Sequence, residues 1–298
     1  MPTNTAVSQI EVQQLRTRRM PTHNTRRPLY SVKHPIPSSF WLLIVLILAP
    51  YAALSQAAAP GSDPQAVSFA SKAIATLTGG KHIQDITLTG SATWAPNGDE
   101  TGTATLKALG IGESRVDLAL PGGTRTEIRD ASAGYAQGEW VNQDGTSGIA
   151  ATHNLMTDAV WFFPPLTSLA GNSSIVLTYI GQETFDDHSV QHLRSCVSTS
   201  GSQLPAALQQ FSTMDFYLDS ASLLPYAIVF NQHPDDNQLV NIPIKVVFSN
   251  YQTIAGIQVP MHIQRYMNGA QILDATLTSA QFNTGLIMAD FAVSGGAQ

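Results

Sequence analysis

Cysteine is nearly absent from this 298-residue chain, with Cys196 as its only example. One thiol excludes an internal disulfide, so stability must come from a buried apolar core. Between Ser195 and Val197, Cys196 reads as a small buried hydrophobe rather than a nucleophile. Basic residues are scarce beyond the N-terminus: residues 58–298 hold nine Lys and Arg against twenty Asp and Glu, a net charge of −11. No Lys/Arg stripe is left for a phosphate backbone, which excludes nucleic acid as a partner. The Gly-x-Ser-x-Gly elbow, His-Glu-x-x-His, Gly-x-x-x-x-Gly-Lys and a helix-opening Gly-x-Gly-x-x-Gly are all missing. Nothing here supports an enzyme or a cofactor, and no repeat of solenoid period occurs. His188 and His192 beside Asp186-Asp187, with His233 near Asp235-Asp236, are the nearest approach to a metal cluster. These residues read better as hairpin turns and loops, so no metal is expected.

The N-terminus sets the expected compartment. Residues 1–39 are polar and carry Arg16, Arg18, Arg19, Arg26, Arg27 and Lys33 against Glu11, and Phe40–Leu54 is apolar apart from Pro50 and the Tyr51 hydroxyl. A charged region followed by a short apolar one is the pattern of an export signal, and the stretch falls short of the roughly 20 residues that span a bilayer. Ser55-Gln56-Ala57 places small residues for cleavage after Ala57, giving a periplasmic or secreted chain. The alternatives are a true start at Met20, or a retained anchor at Phe40–Leu54 with its arginines in the cytoplasm. Residues 1–57 are thus an extension plus signal, and residues 58–298 are long enough for one domain with one core.

Within that domain, Asp63-Pro64 and the spacing of Val67, Ala70, Ala73, Ile74 and Leu77 before Gly79-Gly80 predict a helix over 64–77. The period then becomes two. Ile86, Leu88, Ala92 and Trp94, then Ala104, Leu106 and Ala108, then Val116, Leu118 and Leu120 alternate with polar residues, with turns at Asn97-Gly98, Gly110-Ile111-Gly112 and Pro121-Gly122-Gly123. Further strands are expected near Thr124–Arg129 and Tyr135–Val141. The alternation stops at residues 151–170, where Trp161-Phe162-Phe163 predicts a helix from about His153 to Phe163, broken by Pro164-Pro165. Strands resume at Ser174–Ile180, Ser189–Val197, Thr213–Leu218 and Tyr226–Phe230, with a short helix near Leu204–Gln210. Residues 246–291 close the domain with three antiparallel strands, broken at Ala255-Gly256 and turned at Asn268-Gly269, a dipeptide suited to a type I′ hairpin.

This order of elements, with Tyr179-Ile180-Gly181-Gln182-Glu183, Phe216-Tyr217-Leu218-Asp219 before Leu224-Pro225, and Tyr251 through Gly256 to Val259-Pro260, resembles the outer-membrane lipoprotein carrier superfamily over roughly residues 62–293. The resemblance implies a mainly β fold: a strongly curved antiparallel sheet forming an incomplete barrel, with an N-terminal helix and a helical lid over the opening. It also implies an apolar cavity for lipids or lipoprotein acyl chains, and an arginine that contacts the lid, which the sequence does not match to any one of Arg115, Arg125 and Arg129. A membrane-bound protein is a further expected partner. Trp94, Leu118, Trp161, Phe162, Phe163 and Phe230 are the expected lining of the cavity or lid. Trp161-Phe162-Phe163 reads two ways, as a lid over a bound lipid tail or as a plug in the barrel mouth. The rival functional reading is a periplasmic interaction or sensor module on the same fold, its cavity filled by its own side chains.

Overall fold

The computed structural model describes residues 61–294 apart from 97, 132–135, 201, 203 and 204. The expected signal, its cleavage site at Ala57 and the Phe40–Leu54 stretch lie outside the described residues. Among the described residues no helix is long and apolar enough to cross a membrane. The chain opens with α1 (Pro64–Thr78), where Asp63 caps the N-terminus by accepting from the Gln65 amide at 2.7 Å. Gly79 closes the helix at φ 59°, and a Cβ there would stand 2.5 Å from the Gly256 carbonyl oxygen. Glycine therefore lets the helix end seat directly on the backbone of a distant hairpin. The helix buries Ala66, Ala70, Ala73 and Leu77, a face of mostly small residues that permits close approach to the sheet.

A meander follows: β1 (Asp85–Trp94), β2 (Glu100–Leu109), β3 (Glu113–Leu120), β4 (Gly123–Asp130), β5 (Gln137–Val141) and β6 (Ser147–Ile149). After the break come β7 (Ile175–Phe185), β8 (His188–Val197), α2 (Pro205–Ser212), β9 (Met214–Asp219), β10 (Pro225–Gln232), β11 (Ile242–Ile254), β12 (Ile257–Met267) and β13 (Ala270–Phe282). They form one antiparallel sheet in the order β6-β5-β4-β3-β2-β1-β13-β12-β11-β10-β9-β8-β7. Every neighbour in the sheet is a neighbour in sequence except the β1–β13 pair, which joins the two halves at the centre. Asn268-Gly269, at φ 49° and 79°, forms the expected hairpin turn, and Ala255-Gly256 repeats it at 51° and 79°.

The sheet coils. β4 and β12 lie five strand spacings apart, roughly 24 Å on a flat sheet, a gap two side chains cannot bridge. Yet Arg265 on β12 donates to Glu127 on β4 at 3.1 Å. The barrel stays incomplete because β6 and β7 are free edges, and residues 150–174 are the connection between those edges.

That connection is not the α-helix expected over His153–Phe163. It consists of short 3-10 turns at Thr152–Leu155, Pro164–Leu166 and Ser168–Ala170, joined by irregular backbone. The reason lies in where its carbonyls are satisfied: the Arg129 guanidinium takes those of Asn154, Thr157 and Asp158, at 2.8, 3.0 and 3.3 Å. Carbonyls held by a side chain are withdrawn from a helical ladder, and Pro164-Pro165 cannot continue one. The core comprises the inward residues of the strands, α1 and this connection, with Phe162, Phe163, Leu169, Phe216 and Phe248 at its centre.

Candidate functional site

On β4 the alternation Arg125-x-Glu127-x-Arg129 places three ionised side chains on one face. Their strand partners Leu118, Val116 and Ser114 on β3 define that face, since Leu118 and Val116 belong to the core inside the coil. On β12 the inward row runs Ile257, Val259, Met261, Ile263 and then Arg265, the one charge in an otherwise apolar series. Coiling brings the two strands together around a cavity of about 350 Å³. Trp94, Trp140, Trp161, the three arginines and the His233–Asp235 segment form part of its wall, with Val116, Leu155, Met267 and Ile272 supplying apolar surface.

Glu127 is shared by two guanidiniums. Arg125 donates to one carboxylate oxygen at 2.9 Å and Arg265 to the other at 3.1 Å. Each guanidinium also covers an indole face, Arg125 over Trp94 at 4.2 Å and Arg265 over Trp161 at 4.6 Å. Arg125 reaches Asn142 as well. Planar, weakly hydrated cations stacked on aromatic rings can be buried at lower cost than ammonium groups and keep their in-plane donors available.

Burial pushes the Glu127 carboxyl up, but the charges of Arg265 and Arg125 prevail and hold it at about 2. Burial and the neighbouring Arg265 charge bring Arg129 down to about 10, opposed by Glu127 and Asp158. Burial raises Asp158 to about 6, against two hydrogen bonds from Ser168, amide and hydroxyl both at 2.9 Å. These shifts set opposite pH dependences. A carboxyl lowered in the fold stabilises above its unfolded value and loses that contribution as pH falls, so Glu127 supports the fold above 4.5 and ceases to between 4.5 and about 2. A raised carboxyl does the reverse, so Asp158 weakens the fold as pH rises from 3.8 through about 6. Thermal melts across both windows should show Glu127→Gln flattening the acid-side loss and Asp158→Asn flattening the second decline. Unchanged profiles in both variants would contradict these assignments.

The residues expected from sequence divide. Trp94 and Trp161 are in the cavity wall, and Leu118 borders a small annex of about 10 Å³ beside it. Phe162, Phe163 and Phe230 are packed in the core at 0%, 0% and 3% exposure and do not line the cavity. Of the three arginines considered for contact with the connection, Arg129 makes it, Arg125 turns to Glu127, and Arg115 pairs with Asp117 at 2.7 Å. Sequence reasoning missed Arg265 as a wall residue. Its signal was a charge at the position where the β12 apolar row continues.

The connection is pinned a second time, through the side chain of Asn154. Asn154 donates to the His233 carbonyl at 2.7 Å and accepts from the His233 amide at 2.8 Å. Away from the cavity, His192 lies between Asp215 at 2.8 Å and Glu183 at 2.7 Å, and His188 stacks on Tyr226 with ring centroids 4.0 Å apart. No group of three His, Cys, Asp or Glu side chains among the described residues is placed to hold a metal ion.

No family model and no curated protein matches the chain. Solved structures do. A domain assigned to outer-membrane lipoprotein sorting from Vibrio parahaemolyticus aligns at 14% identity over 75% of this chain and 94% of its own, with a TM-score of 0.49. These are likenesses of fold. A LolA superfamily protein from Nitrosomonas europaea aligns at 9% identity, covering 76% of this chain and 97% of its own, at 0.47. A DUF1329 family protein from Desulfovibrio piger gives 12%, 78%, 97% and 0.46.

Proposed function

We propose that the protein is an exported, non-enzymatic binder or carrier of lipids or lipoprotein acyl chains. The working domain is residues 58–298, periplasmic or secreted after cleavage near Ala57, and it exchanges its cargo with a membrane-bound partner. The observation that carries this reading is the cavity of about 350 Å³ beside a connection held by side-chain hydrogen bonds rather than by sheet pairing. Apolar ligand surface leaving water contributes about 0.8 kcal/mol per buried methylene. The cavity is at the small end of ligand sites, which run from about 300 to 1,000 Å³. A long chain therefore requires the 150–174 connection to yield space, and polar contacts at Arg129 and Asn154 are ones that water can replace.

One observation favours the rival reading of a protein-interaction module: Phe162 and Phe163 already fill much of the interior. A quenching titration separates the two. Three of the four tryptophans, Trp94, Trp140 and Trp161, stand in the cavity wall. A brominated fatty acid added to the full chain is expected to quench their fluorescence saturably. Absence of quenching at any concentration below micelle formation would remove the carrier reading.

A further inference from the structure

Of the nine Lys and Arg residues in 58–298, three converge on one interior cavity in a chain that is otherwise strongly acidic. Arg129 is occupied by three carbonyls. Arg125 and Arg265 share the single carboxylate of Glu127, which leaves one positive charge of the pair uncompensated by that contact. The other acids of the wall do not touch the pair: Glu139 accepts from the Ser294 amide at 2.7 Å and from its hydroxyl, and Asp235 is solvent-exposed. Asp158, whose charge also acts on Arg129, accepts from the Ser168 amide and hydroxyl.

Arg265 is 5% exposed, and its Nε has no hydrogen-bond partner. A buried guanidinium donor without an acceptor is costly, and in a purely structural ion pair it would be matched. A second unmatched atom stands in the same wall. His233 Nδ1 faces the Val240 carbonyl at 3.0 Å and must donate to it, which leaves Nε2 as a buried acceptor without a partner. Burial lowers the His233 pKa, so this ring is neutral and adds no charge. The cavity wall therefore holds two guanidiniums on one carboxylate, one of them with a buried donor left unmatched, beside apolar surface.

We propose that the Arg125–Arg265 pair receives the acidic head of an amphiphile, a carboxylate or phosphate, so that the cavity selects acidic lipids over neutral ones of equal chain length. The proposal rests on reading the cavity as a lipid site, and it gives that site its chemical selectivity. A guanidinium binds either anion through paired N–H donors in one plane. The acidic exterior opposes long-range attraction of such a ligand, so selectivity arises inside the cavity and not from steering.

Calorimetric titration of the full chain with palmitate, hexadecanol and inorganic phosphate tests this. Palmitate should bind at least tenfold more tightly than hexadecanol, and Arg265→Gln should lower the ratio of palmitate to hexadecanol affinity by about tenfold or more. If Arg265→Gln does not fold, Arg125→Gln, at a side chain 15% exposed, serves in its place with the same expectation. Equal affinity for palmitate and hexadecanol in the wild type overturns the head-group site and leaves the carrier reading standing. Phosphate bound with neither amphiphile taken up assigns the pair to a free anion and overturns the carrier reading. No binding by any of the three overturns both.

Discussion

Replacing Arg129 by Met should cost about 4 kcal/mol of stability and release the 150–174 connection. The guanidinium donates to three carbonyls of that connection, and a hydrogen bond from a charged donor contributes about 1.5–3 kcal/mol. Methionine keeps much of the apolar stem and none of the donors, so the carbonyls of Asn154, Thr157 and Asp158 must find water or stay unmatched. The segment has no regular ladder to fall back on, being built of 3-10 turns. Hydrogen exchange over residues 152–170 should accelerate far more than over β1 or β12, and the urea midpoint should fall. Arg129→Lys should restore part of the loss, because an ammonium reaches fewer of the three carbonyls at once. A loss below about 1 kcal/mol with unchanged exchange would mean that apolar packing alone holds the connection.

Phe162→Ala has an expected effect of similar size, about 3–5 kcal/mol, the range for deleting a buried aromatic ring. Phe162 is 0% exposed and meets Trp161 edge to face, with centroids 5.5 Å apart and planes at 90°. The ring is fully buried against Trp161 of the cavity wall, so its removal should destabilise the protein and leave a void beside the cavity into which a ligand can extend. Equilibrium unfolding and fatty-acid titration should move in opposite directions, stability down and capacity for longer chains up. A variant as stable as the wild type would show that the ring is not a core element. A double substitution of Trp161 and Phe163 to Asp is a poor probe by comparison, since Phe163 is equally buried and a charge there would unfold the chain.

Much of the architecture was legible because strands announce themselves through alternation and tight turns. Ile86 to Trp94, Ala104 to Ala108 and Val116 to Leu120 all lie on strands whose inward residues are buried as the pattern requires. Asn268-Gly269 turned as its dihedral tolerance demands. β6 was not foreseen, because Ser147–Ile149 is too short to display a period. The helix expected at His153–Phe163 failed for a different reason. An apolar cluster fixes burial but not backbone geometry, and here a side chain 25 residues upstream of Asn154 decides where the carbonyls go.

The cavity shows the same limit. Of the aromatics expected to line it, Trp94 and Trp161 stand in the wall, whereas Phe162, Phe163 and Phe230 belong to the packed interior. Arg125-x-Glu127-x-Arg129 could have been read as an inward polar row from its period and from the apolar strand before it. The meeting of Glu127 with Arg265 could not, since it depends on the coiling of a sheet whose centre is the long-range β1–β13 pair.

The carriage of an acyl ligand is the central claim, and native mass spectrometry of the full chain, purified without added lipid from an export-competent host, tests it most directly when followed by organic extraction. The expected result is a mass increment of one acyl lipid per chain, recovered in the extract and lost on Arg265→Gln for acidic species. A bare protein that also acquires no mass on incubation with palmitate or hexadecanol would contradict the account and leave the filled barrel as a surface for another protein.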